Sequence, residues 1–240
     1  MTKAVSVDWA KKQIDPRELP AYSIPESTHY LRIPRSTLRA WVAGQVYRSN
    51  GVTRSFRPII ALPDRHAPLL SFVNLVEAHI LDALRREHEV PLQKVRKAIT
   101  YLSQCLGSRH PLVEQRFETD GVDLFIRQYG QLVNISQSGQ LAMRQILEAY
   151  LRRVEWDEVG VVARLYPFTR KRLIDEPRAV VIDPRISFGR PVLAGSGIPT
   201  AIIAERYKAG ESVDELADDY GRKRLEIEEA IRCELDERAA

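Results

Sequence analysis

The chain has few of the residues that most catalytic and secreted scaffolds need. It holds only two cysteines among 240 residues, Cys105 and Cys233. They fall in separate segments with helical spacing, which excludes a disulfide framework and a cysteine zinc site, and a reducing cytoplasm is the expected setting. No apolar run approaches the ~20 residues that a membrane-crossing helix requires, and the N-terminus lacks a secretory pattern, so no membrane association is expected. No G-x-x-x-x-G-K-[ST] pattern occurs, and the one loop rich in glycine contains no lysine, which removes a phosphate-cradling loop. No nucleophile–base arrangement, cofactor fingerprint or metal-ligand spacing is present. The expectation is a protein that is not an enzyme and carries no cofactor or metal. His79 and His88 have no carboxylate or cysteine at ligand spacing and are expected to serve packing or solvent contact. Asp120 and Asp123 flank Gly121 and read as turn formers.

A hydrophobic content of 44% with 28% charged residues describes a globular chain with room for two or three small cores. The net charge of +4 is unevenly placed. Residues 1–110 carry 17 Lys and Arg against 9 Asp and Glu, whereas residues 111–240 carry 19 against 23. The basic half therefore suits a polyanionic partner.

That half contains Tyr22 to Trp41, which reads as two short helices joined by a tight turn. Ser23 and Glu26 have capping-box spacing, and Pro25 is tolerated in a first helical turn. Pro34 plays the same part after a turn at Leu31, Arg32 and Ile33. In the second helix Leu38, Trp41 and Val42 share one face, and Arg35, Ser36 and Arg39 share the other. Gly44 supplies the stop. A short helix with a buried apolar stripe and an exposed basic, hydroxyl-bearing stripe suits the DNA major groove, so sequence-specific DNA binding is the first expectation.

Tyr22, Ile24, Glu26, Leu31 and Ile33, followed by Thr37, Leu38, Arg39 and Trp41, resemble the opening of a MerR-type winged helix-turn-helix, and the similarity continues for about the first 105 residues. The resemblance implies DNA contacts from Arg35, Ser36, Thr37 and Arg39. It also implies a wing after the second helix. Val46 to Leu62 fits a hairpin turning at Asn50-Gly51, with Arg48, Arg54 and Arg57 as phosphate contacts. The chain departs from the family in two places. Arg32 stands where the turn usually has glycine, and the glycine-tyrosine-arginine wing signature is missing. Leu69 to Leu106 then reads as two helices. One carries an apolar stripe of Phe72, Leu75, Val76, His79, Ile80, Ala83 and Leu84; the other carries Leu92, Val95, Ile99 and Leu102, between Pro91 and Gly107.

Residues 1–20 read as a mobile lead-in. Residues 111–168 read as a small α+β module for bridging or dimerisation. Arg116 to Phe125 and Tyr129 to Ile135 are expected as hairpin strands, Ser138 to Val154 as a helix, and Val159 to Phe168 as another strand. The helix has Leu141, Ile146, Leu147, Ala149, Tyr150 and Leu151 available for burial.

A short strand, Ala179 to Ile182, runs into a long loop dense in proline and glycine, a type of loop that is usually functional or mobile. Three helices follow, Pro199 to Ala209, a Ser212/Glu215-capped helix to Tyr220, and Arg224 to Arg238. Ile202, Ile203, Tyr207, Val213, Leu216, Ala217, Tyr220, Leu225, Ile227, Ala230 and Ile231 are the expected core of this helix-turn-helix-like bundle. The acidic group Glu211, Asp214, Glu215, Asp218 and Asp219 reads as a solvated helix face.

The spacing of Asp183, Pro184, Arg185 and Ile186, then Gly189, Arg190 and Pro191, then Gly195, Gly197, Ile198 and Pro199, closely resembles the bacterial domain family of unknown function number 433. The match continues through Ala204, Glu205, Gly210, Glu211, Ser212, Glu215, Leu216, Ala217, Tyr220 and Gly221. In this chain Arg222 and Lys223 stand where that family has an apolar residue and a hydroxyl cap. With a MerR-like domain before it, the whole resembles a VapB-type antitoxin. The resemblance implies a PIN-like ribonuclease toxin as partner, an operator in double-stranded DNA, and a homodimer that represses its own promoter. The loop is expected to dock on the toxin through Arg185, Phe188, Gly189, Arg190, Val192, Gly195, Gly197 and Ile198. Arg185 or Arg190 would face the carboxylates of the nuclease, or both arginines would brace the loop. The rival expectation is a stand-alone MerR-like regulator, whose mark would be a ligand pocket in residues 111–175.

The expected fold class is mainly α with small β elements (α+β). After the lead-in, it comprises a winged helix-turn-helix over 21–108, a central hairpin-plus-helix module over 109–175, and a C-terminal three-helix bundle over 176–240.

Overall fold

The computed structural model describes residues 15–49, 52–64, 66–87, 92–170 and 177–235, without the side chains of 47–49, 52–54, 56, 85–87 and 92. Asp15 caps a 3-10 turn, Pro16–Glu18. Arg17 reaches Asp157 at 2.6 Å and the Val162 carbonyl at 3.2 Å. Residues 15–18, expected within the lead-in, are therefore held by a segment about 140 positions later in the chain; residues 1–14 lie outside the description.

Strand β1 (Tyr22–Ser23) leads into helix α1 (Ile24–Leu31). The capping box forms as its spacing demands. Ser23 Oγ accepts from the Glu26 amide at 3.3 Å, and the Glu26 carboxylate accepts from the Ser23 amide at 2.9 Å. Helix α2 (Arg35–Ala43) follows a turn in which Arg32 takes a left-handed φ of 54°. Gly44, at φ 75°, ends α2. Strands β2 (Gln45–Ser49) and β3 (Val52–Phe56) pair antiparallel with Ser49 opposite Val52. That register leaves two residues for the expected turn; Asn50 and Gly51 themselves lie outside the description. Strand β4 (Leu69–Leu70) returns to pair with β1.

Helix α3 (Phe72–Glu87) is more buried than its stripe suggests. Every residue from Ser71 to Leu84 is buried. This helix is the central element of the fold, and its polar residues are paired, as burial requires. Asn74 donates to Glu77 at 3.0 Å, His79 bonds the Tyr150 carbonyl at 3.1 Å, and Asp82 accepts from the Tyr150 hydroxyl at 2.9 Å. His79 also stacks on Phe168. His88 and Pro91 lie outside the description. Helix α4 (Leu92–Leu106) buries Val95 and Leu102.

The expected hairpin at 116–135 is not there. A π-helical turn, Phe117–Gly121, runs straight into helix α5 (Val122–Val133). The buried residues Val122, Phe125, Ile126 and Tyr129 recur with helical period, and this outweighs the local turn residues. Gly121 is not a turn glycine; it lies in helical backbone against the Phe117 ring, 2.7 Å from where a Cβ would stand. Gly130 lets Gln140 approach. Helix α6 (Gln137–Leu151) buries Met143, Leu147, Tyr150 and Leu151, whereas Leu141 is exposed. Strands β5 (Val154–Trp156) and β6 (Val162–Leu165) form the hairpin of this segment. One apolar core runs from Tyr22 through α3, α5 and α6 to Ile182, so the central segment shares its packing with the helix-turn-helix unit.

Strands β7 (Val180–Val181) and β8 (Val192–Leu193) pair across the glycine-rich loop. Helices α7 (Thr200–Lys208), α8 (Val213–Tyr220) and α9 (Arg224–Glu234) complete the chain. A second core joins Leu193, Ile203, Leu216, Ala217, Ile227, Ala230 and Ile231. Ile202, Tyr207 and Leu225, expected inside, are 46%, 40% and 47% exposed. Arg222 takes over at the altered α8–α9 turn, donating to the Ala194 carbonyl at 2.9 Å and to Glu226 at 2.8 Å.

Candidate nucleic-acid interface and the loop packed on it

Helix α2 separates its two faces as its spacing requires. Leu38, Trp41 and Val42 are buried, Arg35, Ser36 and Arg39 are exposed, and Thr37 is half-buried. The chain leaving β3 is fastened to the end of α2, where the Ile59 and Ile60 amides donate to the Trp41 carbonyl at 2.8 and 3.1 Å. This sets the exposed Arg57 close in sequence to the α2 attachment point. Among the described residues, no ion pair engages Arg35, Arg39 or Arg57. Arg48 and Arg54 occupy ladder positions opposite Thr53 and Tyr47, and their side chains lie outside the description. The face is thus basic, and among the described residues the guanidiniums of Arg35, Arg39 and Arg57 are not tied to protein carboxylates. Such a surface is suited to phosphates and base edges.

The loop between β7 and β8 is built on Asp183. This buried carboxylate accepts from the Arg185 amide at 2.9 Å and pairs with the Arg185 and Arg164 guanidiniums at 3.0 and 3.1 Å. Burial raises its pKa, but the Arg185 and Arg164 bonds outweigh that and hold the carboxyl below its usual range. Three successive residues, Ser187, Phe188 and Gly189, take left-handed φ values of 47°, 55° and 76°. Two of them bear side chains, a strain of about 1–2 kcal/mol each. The result is a Phe188 ring that is 96% exposed.

The structure sorts the expected loop residues. Phe188 and Arg185 face outward, with Arg185 still paired to Asp183. Val192 is 1% exposed and pairs with Val181, so it supports the loop from beneath and offers no surface. Ile198 is half-buried against the second core. Gly195 and Gly197, at φ 73° each, turn the chain after β8.

Arg190 and Gly189 point back to the helix-turn-helix unit, a contact the sequence did not suggest. Arg190 forms an ion pair with Glu26 and reaches the Tyr30 hydroxyl at 3.4 Å. The buried Tyr22 hydroxyl donates to the Gly189 carbonyl at 3.0 Å. At the far end of α1, Arg32 donates to the Arg232 carbonyl at 2.7 Å, and His29 stands 3.7 Å from Glu234. Burial pushes the Tyr22 phenol above its ordinary value. Burial also raises the Glu26 pKa, but bonds from Ser23 and Arg190 outweigh it and the net is lowered. The sequence signals at Glu26, its capping role and its place in the helix-turn-helix resemblance, both concern α1 and accounted for the residue locally. Nothing local links it to a residue 164 positions away.

Among the described residues, no group of three or more His, Cys, Asp or Glu is placed to hold a metal ion. No helix among them is long and apolar enough to cross a membrane.

Comparison with known proteins matches these two regions separately. The family described as "Putative DNA-binding HTH domain" matches residues 20–99. The family "Protein of unknown function (DUF433)" matches residues 180–232. "Putative antitoxin VapB45" of Mycobacterium tuberculosis is 32% identical over 234 residues, covering 89% of this chain and 93% of the relative. "Uncharacterized protein Rv2308" of the same organism is 25% identical over 219 residues, covering 88% of each. The crystal structure of Rv2018 from Mycobacterium tuberculosis superposes with a TM-score of 0.67 at 28% identity, covering 89% of this chain and 98% of that one.

Proposed function

Because this chain belongs to the same family as the putative antitoxin VapB45, we propose that it is a DNA-binding antitoxin that neutralises a PIN-like ribonuclease and represses its own promoter. On this reading it acts by binding and not by catalysis, in the cytoplasm. A homodimer presents two α2 helices to a two-fold operator, with half-sites separated by whole helical turns. Arg35, Ser36, Thr37 and Arg39 read the groove, and Arg48, Arg54 and Arg57 hold phosphates.

The observation that carries the antitoxin part is Phe188. A large apolar side chain left 96% exposed on strained backbone is costly unless a partner covers it. An aromatic anchor beside a guanidinium is the composition of an interface hot spot. Phe188 is the anchor and Arg185 is the charge that meets the acidic nuclease centre. Gly195, Gly197 and Ile198 shape the loop, and Val192 backs it.

Co-expression and pull-down with the product of the adjoining reading frame tests the reading. A stable complex that suppresses ribonuclease activity, and that weakens with Phe188→Ala, is the expected result. Absence of a complex with DNA binding intact would refute the antitoxin role and leave a transcription regulator of MerR-like type.

A further inference from the structure

We propose that the C-terminal domain is a positioning clamp on the DNA-reading helix pair, with Arg190 as its closing residue. The inference rests on the DNA-binding reading above and adds a regulatory contact to it. Helix α1 is held at both ends by residues more than 150 positions away in sequence. At its start, Arg190 takes Glu26 and Tyr30, and Tyr22 takes the Gly189 carbonyl at 3.0 Å. At its end, Arg32 takes the Arg232 carbonyl at 2.7 Å. Only Arg32, Ile33 and Pro34 separate α1 from α2, and the Ile33 amide is bonded back to the Thr28 carbonyl at 3.2 Å. An orientation imposed on α1 is therefore passed to α2.

The left-handed Arg32 fits this picture. At a position where glycine would be free of strain, arginine accepts the backbone cost and gains a bond to α9. Arg190 closes the opposite end with a charged pair to Glu26, the carboxylate that already caps α1. Phe188 lies two residues before Arg190 on the same loop. A partner that moves Phe188 pulls on the clamp through Gly189, which coupling between two sites requires.

The test uses the full chain with two duplex probes, the region upstream of its own coding sequence and a scrambled duplex of equal length. The variants are Arg190→Gln, Glu26→Gln, the double variant and Arg190→Lys. Glutamine at 26 preserves the capping box while removing the charge. Hydrogen exchange of the α1 amides and duplex affinity by fluorescence anisotropy are read together, with exchange in α8 as the folding control. Each single variant is expected to speed α1 exchange and weaken upstream-duplex binding roughly 5- to 10-fold, the ordinary scale of coupling between sites. The double variant should be no worse than either single one, and Arg190→Lys should recover most of the loss. Unchanged α1 exchange and affinity in Arg190→Gln, or losses that multiply in the double variant, would overturn the clamp while leaving DNA binding in place. Failure of the unaltered chain to bind either duplex would instead overturn the DNA reading and the clamp with it.

Discussion

Gly189→Ala should destabilise the protein far more than the same change at another left-handed glycine. Gly189 has φ 76°, and a Cβ there would stand 2.2 Å from the Tyr22 hydroxyl oxygen and 3.2 Å from its Cζ. Tyr22 is 2% exposed and cannot swing away. The left-handed backbone alone costs an alanine about 1–2 kcal/mol. Expelling the tyrosine oxygen leaves a buried hydroxyl and the Gly189 carbonyl unpaired, about 1–3 kcal/mol more. The expected total is roughly 2–5 kcal/mol, reaching the upper end for a single substitution. Gly195→Ala supplies the comparison, since its φ is 73° and a Cβ there meets nothing within 4 Å. It should cost only the backbone share, about 1–2 kcal/mol. Urea unfolding followed by circular dichroism measures both, with unchanged slopes required before midpoints are compared. Tyr22→Phe should itself cost about 1 kcal/mol through the lost bond and should soften the effect of Gly189→Ala. Equal losses at 189 and 195 would refute the close approach, and with it the seating of the loop on the helix-turn-helix unit.

Arg35→Ala and Arg39→Ala should each lower affinity for the specific duplex by about 1–3 kcal/mol and blur sequence preference, as competition footprinting would show. Arg57→Ala should weaken specific and scrambled duplexes alike and lower the salt slope by about 1 in anisotropy titrations. Phe188→Ala should leave the urea midpoint within about 0.5 kcal/mol of the original while costing about 2 kcal/mol or more in partner affinity by calorimetry. His110 should make stability fall with rising pH. Its burial disfavours the charged form, but Glu77, 2.9 Å away, outweighs this and raises the pKa, with Arg109 opposing and Glu18 assisting. A raised folded value means the stabilisation is present below the unfolded value of about 6.5 and is lost as pH climbs through the folded one. Urea midpoints at about pH 6 and pH 8.5 should therefore differ less in His110→Gln than in the original protein.

The pieces read most readily from the sequence were those whose signals are local. Ser23 with Glu26 and Ser212 with Glu215 form capping boxes because three-residue spacing suffices to close them. Leu38, Trp41 and Val42 are buried because a single helical face is set by spacing alone. Where a local signal had competition, it misled. Asp120, Gly121 and Asp123 look like a turn, but the apolar stripe from Val122 to Tyr129 needs a helix to reach the core. Leu225 and Ile202 have apolar spacing too, and they remain exposed because a three-helix unit of this size buries only the innermost positions.

What the sequence determined by itself was therefore every α-helix except α5, the basic face of α2, and the likeness to a helix-turn-helix domain and to the family of unknown function 433. Each is encoded by contacts or spacings of a few residues, which require no knowledge of the rest of the chain. The tertiary structure alone decided that α3 is buried on all sides from Phe72 to Leu84, that Val192 faces inward and Phe188 outward, and that Arg190 closes on Glu26. Those outcomes depend on which surfaces meet when two cores are assembled. A guanidinium has no positional preference of its own; its partner is whichever carboxylate the completed fold brings within reach, here one that lies 164 residues away.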